Sequence, residues 1–195
     1  MKVILASSST IRSAVLLHAG VTHTAIRPSV DEELLKIKHA NLTPLQLSLA
    51  LARDKALRIS LAHRNDLVIG ADQVLVCDGQ LFSKPISIED ARSQLQQLRG
   101  RPHELITSLS VCQDHLQIWS STVTATLWMR EFSDKFLGEY LDCIRSDVTT
   151  SVGGYKLESR GIQLFDHIDG DHFAILGLPL LPLLAFLRST GAIAA

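Results

Sequence analysis

Alternation and helical spacing divide the chain into a mixed series of strands and helices. Val3-Ile4-Leu5-Ala6 is a short apolar run that predicts a buried strand. After Ser7-Ser8-Ser9-Thr10, apolar positions at Ile11, Ala14 and Val15 take helical spacing until Gly20 stops them. Thr43-Pro44 predicts a helix start, with Thr as cap and Pro at the first position. That helix is expected to run to about Ala62, with Leu45, Leu49, Ala52, Ala56 and Ile59 as its inner stripe. Leu67 to Val76 reads as a strand that folds back at Asp78-Gly79, a hairpin-turn dipeptide. Ser87, with Asp90 three residues on, caps a helix that ends at Arg99-Gly100. Glu104 to Cys112 and Leu116 to Met129 are rich in Thr, Ser and Val, which suits a long antiparallel pair. Ser133 caps a helix carrying Phe136, Leu137, Tyr140, Leu141 and Ile144. In the last third, Gly153-Gly154 precedes a predicted strand. Ile162 to Ile168 follows, then a turn at Asp169-Gly170 and a final strand through Leu176. Gly177-Leu178-Pro179 starts a closing helix that ends at Gly191. Strands and helices mix without strict alternation, which predicts a mixed α/β sheet in one chain with two lobes.

Composition narrows the class. The 195 residues are 46% apolar and 20% charged, enough for one large domain or two merged lobes with a sizeable core. A net charge of −1 and 5% aromatic residues, with no basic stripe, argue against a nucleic-acid partner, and nothing global points to a membrane surface. Cys77, Cys112 and Cys143 are odd in number and far apart, and Met1-Lys2-Val3 opens no secretory segment. The expectation is reduced thiols in the cytoplasm. Leu176 to Leu187 is very apolar but too short to span a bilayer, and with Pro179 and Pro182 it reads as a buried helix.

Several polar groups could carry chemistry. Val68-Ile69-Gly70-Ala71-Asp72-Gln73 runs from an apolar strand into a carboxylate, and Ser83-Lys84-Pro85 follows the hairpin turn. Proline keeps Lys84 extended, so Asp72 and Lys84 can sit at one rim of a sheet; a surface salt bridge explains the pair equally well. At the first helix, serine hydroxyls, unpaired helical N–H groups and the forked cation of Arg12 suit phosphate, although serines also simply cap helices. Asp31-Glu32-Glu33 could hold a divalent cation or only favour a helix start. Lys55 borders the inner stripe of its helix, where its stem could lie along the core; a plain surface lysine is the simpler reading. Asp166-His167 and Asp171-His172 flank a turn and read as solvated rather than as a metal site.

These motifs have a familiar order. Ile4-Leu5-Ala6-Ser7-Ser8-Ser9 with Arg12, Val30-Asp31-Glu32, Leu51-Ala52-Arg53-Asp54-Lys55-Ala56, Ile69-Gly70-Ala71-Asp72, Lys84-Pro85, Gly153-Gly154-Tyr155 and Gly177-Leu178-Pro179-Leu180 resemble the Maf family of nucleotide pyrophosphatases across nearly the whole chain. The resemblance implies a single Maf-like domain over residues 1–195. It implies an elongated, twisted mixed sheet with helices and two lobes around a deep cleft, often as a homodimer. It also implies hydrolysis of a nucleoside triphosphate to the monophosphate and pyrophosphate with a divalent cation, Mg²⁺ or Mn²⁺. Carried onto matching positions, Asp72 is the proton acceptor. Ser9, Arg12, Glu32, Lys55 and Lys84 belong to the polar set of the cleft, and Glu158 falls where the family has Gln or Glu. Asp72 and Glu32 could hold the cation or orient a water.

The chain departs from the family in its first motif. Where the family reads Ser-Pro-Arg-Arg or Ser-Pro-Trp-Arg-Arg, it has Ser9-Thr10-Ile11-Arg12-Ser13, and one of the usual arginines is missing. Gln73, Lys156, Glu158 and Gly161-Ile162-Gln163-Leu164-Phe165 resemble the subgroup acting on 7-methyl-GTP. A carboxylate such as Glu158 favours a cationic methylated guanine. Ile11, however, stands where that subgroup has an aromatic residue. The alternatives are a dTTP, UTP or broad-range pyrophosphatase, and a nucleotide-binding regulator of cell division without turnover. Retention of both Asp72 and Lys84 favours the enzyme.

Overall fold

A computed structural model describes residues 1–194, apart from the side chains of Glu32, Glu33 and Ser146. In chain order its elements are β1 (Val3–Ala6), α1 (Thr10–His18), β2 (Thr24–Ala25), α2 (Glu32–Lys38), α3 (Pro44–Ser60), β3 (Leu67–Cys77) and β4 (Gln80–Phe82). There follow α4 (Ile88–Leu98), β5 (Pro102–Gln113), β6 (Leu116–Met129), α5 (Asp134–Ile144), β7 (Phe165–Asp169), α6 (His172–Ile175) and α7 (Leu180–Ser189). The strands form a 7-stranded mixed sheet in the order β2-β1-β3-β5-β6-β7, with β4 paired to β3. The chain divides into two compact units, residues 1–73, 107–123 and 171–195 in the first and 74–106 and 124–170 in the second.

In the first unit, β1 lies parallel to both β2 and β3, with Val3 opposite Leu67 and Ala6 opposite Gly70. Successive residues of a strand face opposite sides, and this stretch is apolar on both because both sides are covered. Val3, Leu5, Leu67, Ile69 and Ala71 pack with Val15 and Leu16 of α1 and with Leu180, Leu183 and Leu187 of α7. Ile4, Ala6 and Val68 face the other way, onto Ala56 of α3. Each fully buried Leu or Ile in these layers contributes about 1.5–3 kcal/mol. Helix α3 begins with a full capping box. The Thr43 hydroxyl accepts from the Gln46 N–H, and the Gln46 side chain accepts from the Thr43 N–H at 3.0 Å.

In the second unit, β4 folds back on β3 with Leu75 opposite Phe82, and β7 pairs antiparallel with β6, Leu127 opposite Ile168. Ser87 and Ser133 cap α4 and α5 as expected. A buried aromatic group lies in this unit. His103 Nε2 meets the Tyr155 hydroxyl at 2.6 Å, and the edge of Tyr155 meets Phe165 at 4.9 Å between ring centroids.

Several expectations change, and the strand expected over Ile162 to Ile168 begins only at Phe165, after a 3-10 turn over Arg160–Leu164. No strand follows the double glycine: Val152–Gly154 is a 3-10 turn kinked at Gly153, and the φ of +76° and +71° at Gly153 and Gly154 turns the chain instead of extending it. The final strand through Leu176 is instead α6, started by Asp171, whose carboxylate accepts from the Ala174 N–H at 2.6 Å. The inner face of α3 keeps Ala52 and Ala56 of the expected stripe, both fully buried, but is rotated away from the rest of it. Leu45 is exposed, while Ser48, Leu51, Lys55 and Ser60 are buried. Polar partners explain the rotation: Ser48 bonds Ser108, and Ser60 accepts from the His115 N–H. The short strand β2 was not anticipated, and two residues carry too little pattern to be seen. Leu176 to Leu187 does lead into a helix with a buried face, and among the described residues no helix is long and apolar enough to cross a membrane. Cys77 and Cys112 are buried, Cys143 is exposed, and all three are free.

Burial pushes the His103 imidazole down from 6.5 to about 4. Between those values the unfolded chain takes up a proton that the folded chain refuses, so stability is full above 6.5 and falls as pH drops toward 4. The loss from this group approaches about 1.4 kcal/mol per pH unit inside that window. Urea unfolding at pH 7, 6 and 5 should show the decline, and His103→Gln, which does not titrate, should show a shallower one. Equal slopes would mean that other groups set the acid limit.

Candidate active site

The first unit holds a buried ion pair. Lys55 Nζ donates to Asp72 Oδ1 at 2.6 Å, with side-chain exposures of 7% and 9%. Its local cause is legible in the backbone. Gly70 and Asp72 are two apart on β3 and share the face toward α3. A Cβ built on Gly70 would lie 2.0 Å from the Ala52 carbonyl oxygen and 2.9 Å from the Ala56 nitrogen. Hence strand and helix touch backbone to backbone there, with only Ala52 and Ala56 between them. Lys55, on the same helix face, is thereby delivered to the carboxylate at the strand's next inward position.

Arg12, in the first turn of α1, is held by backbone. Its Nε donates to the Gly177 carbonyl at 2.8 Å and its Nη1 to the Ala71 carbonyl at 3.0 Å. Ser9 caps α1, its hydroxyl accepting from the Arg12 N–H at 3.4 Å. The Ser7 hydroxyl accepts from the Ser9 N–H at 3.1 Å and from Arg12 Nη1 at 3.4 Å. Arg12 thus sits one residue along β3 from Asp72, fixed before any ligand arrives. Ser7 and Gly177 were not singled out as site residues, although both lie inside the quoted motifs.

Gln73 points to the face opposite Asp72. Its amide nitrogen donates toward Thr107 Oγ1 at 2.8 Å and the carbonyls of Ala174 and Ile175 at 3.0 and 3.1 Å. Its two N–H groups are therefore committed to tying α6 to the sheet. The backbone of α2 begins at Glu32, and the Glu32 side chain lies outside the described residues. The far end of α2 is pinned to α3 by His39 Nε2 and Asp54 Oδ2, 3.0 Å apart. No spacing rule in the sequence announced that tie.

In the second unit, Lys84 is exposed beside buried Pro85, and Glu158 is exposed in a turn after Leu157. His167 rests against Trp128, ring centroids 4.8 Å apart, while Asp171, in the first unit, is occupied as a helix cap. Among the described residues no group of three or more His, Cys, Asp or Glu could hold a metal ion by itself.

Residues 2–190 match the family model described as Maf-like protein. The chain belongs to the Maf family. Maf relatives at this level include a protein of Maricaulis maris (strain MCS10), 43% identical over 190 residues that cover 97% of each chain. Another, from Paramagnetospirillum magneticum (strain ATCC 700264 / AMB-1), is 46% identical over 96% of this chain and 97% of its own. Each carries the name nucleoside triphosphate pyrophosphatase. Among solved structures, the chain is similar to a nucleoside-triphosphatase, a dITP/XTP pyrophosphatase, from Mycobacterium abscessus. That likeness is 14% identical with a TM-score of 0.40, over 68% of this chain and 76% of that one.

The close approach at Gly70 makes a sharp prediction. Gly70→Ala must separate β3 from α3, destabilising the protein by about 1–3 kcal/mol and lengthening the Lys55–Asp72 contact. Lys55→Met, which removes the buried ammonium that donates to Asp72, should cost about 3–5 kcal/mol. Denaturant midpoints measure both, and a Gly70→Ala midpoint within error of wild type would remove the backbone contact as the cause of the pairing.

Proposed function

We propose that this Maf protein hydrolyses the α–β phosphoanhydride of nucleoside triphosphates, releasing the monophosphate and pyrophosphate. The Lys55–Asp72 pair carries this reading: a carboxylate is held against a buried ammonium at the strand position following the carbonyl that grips Arg12. Relatives over 40% identical that carry the name nucleoside triphosphate pyrophosphatase support it. In the reaction, a water oxygen attacks phosphorus, its proton passes to the Asp72 carboxylate, and the anhydride bond breaks with the bridging oxygen leaving on pyrophosphate. Lys55 holds Asp72 in place. Arg12 and the hydroxyl of Ser9 offer charge and a hydrogen bond to phosphate oxygens, and Lys84 is proposed for the same role.

A divalent cation that arrives with the phosphates is proposed as the cofactor. Mg²⁺ or Mn²⁺ needs one or two carboxylates and takes its other oxygens from substrate and water, and Asp72 with Glu32 would hold it. Bound there, it would neutralise charge developing on the phosphate oxygens. In a second reading Asp72 is chiefly a ligand for that cation rather than the proton acceptor.

For the base, we propose 7-methyl-GTP. The exposed Glu158 carboxylate suits a cationic methylated guanine. A broad or dTTP/UTP specificity is the second reading, favoured by Gln73, whose amide N–H groups are already bonded to Thr107, Ala174 and Ile175. The protein is proposed to act in the cytoplasm, as a single Maf-like domain per chain and as a homodimer.

Pyrophosphate release from 7-methyl-GTP, GTP, dTTP, UTP and CTP, with Mg²⁺ or Mn²⁺, tests the proposal. Asp72→Asn should lose about 10²–10⁴-fold in kcat. Because Asp72 is buried, the exposed Lys84→Met serves as a second variant that keeps the fold, with an expected loss of about 10-fold or more. Chelation should stop turnover in the wild type. A folded Asp72→Asn with unchanged turnover would overturn the mechanism, and nucleotide binding without turnover would make the protein a regulator.

A further inference from the structure

The second unit contains a buried polar group that the proposed chemistry does not use. His103 is 2% exposed, at the start of β5. Its Nε2 meets the Tyr155 hydroxyl at 2.6 Å, and its Nδ1 has no hydrogen-bond partner. The count of hydrogens decides the direction. If Nε2–H donated to Tyr155, both Nδ1 and the tyrosine O–H would be left unpaired. With the Tyr155 O–H donating to Nε2, only the Nδ1–H is orphaned. A buried, unpaired ring N–H is unfavourable, and an apolar side chain would fill the same space without it. Packing alone therefore does not account for a histidine at this position.

Tyr155 is the keystone of the double-glycine turn. A Cβ built on Gly153 would lie 2.7 Å from Tyr155 Cε1, so the ring presses on the Gly153 backbone. The Tyr140 hydroxyl donates to the Gly154 carbonyl at 3.3 Å, and Ser151 Oγ donates to the Tyr155 carbonyl at 2.6 Å. A Cβ built on Gly154 would lie 3.1 Å from Val148 Cγ2, 3.5 Å from Ala91 Cβ and 3.7 Å from Cγ of Pro85, so the turn packs on α4 and borders Pro85, the buried residue that follows exposed Lys84. Downstream of Tyr155, Lys156 Nζ pairs with Asp147 at 3.4 Å, and the Lys156 carbonyl accepts from the Ser159 N–H at 3.2 Å, closing the turn that presents Glu158. One hydroxyl thus lies upstream of two segments proposed to contact substrate.

We infer that His103 is a positioning residue. By holding the Tyr155 hydroxyl it fixes the Gly153–Gly154 turn, and through it the Lys84-Pro85 segment and the turn carrying Glu158. The consequence for turnover rests on the pyrophosphatase reading; the consequence for backbone order does not.

Tyr155→Phe, which deletes one oxygen, is the main variant, with His103→Leu, His103→Gln and the His103→Leu/Tyr155→Phe double variant beside it. Amide hydrogen exchange over residues 152–158 should quicken about 10-fold in Tyr155→Phe and His103→Leu, with residues 67–72 of β3 unchanged. KM for the nucleotide should rise about 10-fold with a smaller change in kcat, and the double variant should be no worse than either single one. His103→Gln, whose amide can still pair with the hydroxyl, should recover part of the loss. Unchanged exchange over 152–158 would overturn the inference, as would faster exchange with an unchanged KM. A wild type that releases no pyrophosphate from any nucleotide would defeat the functional reading instead, and exchange alone would then decide the role of His103.

Discussion

The Lys55–Asp72 pair depends on how closely β3 approaches α3, and much of the first unit is arranged around that approach. A charged pair so nearly buried persists only if each partner is fully met, because an unpaired charge in the same place would be far less stable. Meeting it requires a strand without a side chain at residue 70 and a helix with small residues, Ala52 and Ala56, at the point of contact. The apolar layer of Ile4, Ala6 and Val68 against Ala56 holds the two elements at that distance. The layer on the other side, from α1 and α7, fixes the strand from behind. Arg12 then couples the two faces by gripping the Ala71 carbonyl, one residue from Asp72.

In both units side chains hold the backbone in place. In the first, Arg12 bonds two carbonyls, and Ser7 joins the start of α1 to the same guanidinium. In the second, Tyr140 and Ser151 bond the carbonyls of Gly154 and Tyr155, while His103 holds the Tyr155 ring. Polar groups fixed before substrate binds need little reorganisation as charge develops, which is the main electrostatic advantage of a folded site.

What could be read from the sequence was local. Thr43-Pro44, Ser87 and Ser133 act within one helical turn of themselves, and all three cap the helices expected of them. Lys55 as the partner of Asp72 was not legible, because a helix face meets a strand face according to the small residues between them. The apolar stripe of α3 named Ala52 and Ala56 correctly, both fully buried, but it also pointed to Leu45, which is exposed, and passed over Ser48, Lys55 and Ser60, which are buried because their partners lie elsewhere in the chain. Gly153-Gly154 announced an unusual backbone without saying which way it would bend. Asp171 read as part of a solvated turn until its carboxylate was seen closing the first turn of α6. Glu32 was legible only as one acid in a short run, and its side chain lies outside the described residues.

Asp72 and Gln73 are adjacent in sequence yet face opposite sides of β3. Position 73 therefore belongs to the anchoring of α6, through Thr107, Ala174 and Ile175, and position 72 to the pairing with α3. The two side chains make no shared hydrogen bond among those that hold them, and Arg12, bonded to both the Ala71 and Gly177 carbonyls, is what links the two sides. Drift at residue 73 can retune how firmly the C-terminal segment is held while the carboxylate next door keeps its partner. A strand thereby divides two neighbouring side chains between two jobs, a separation that a loop, free to twist, could not provide.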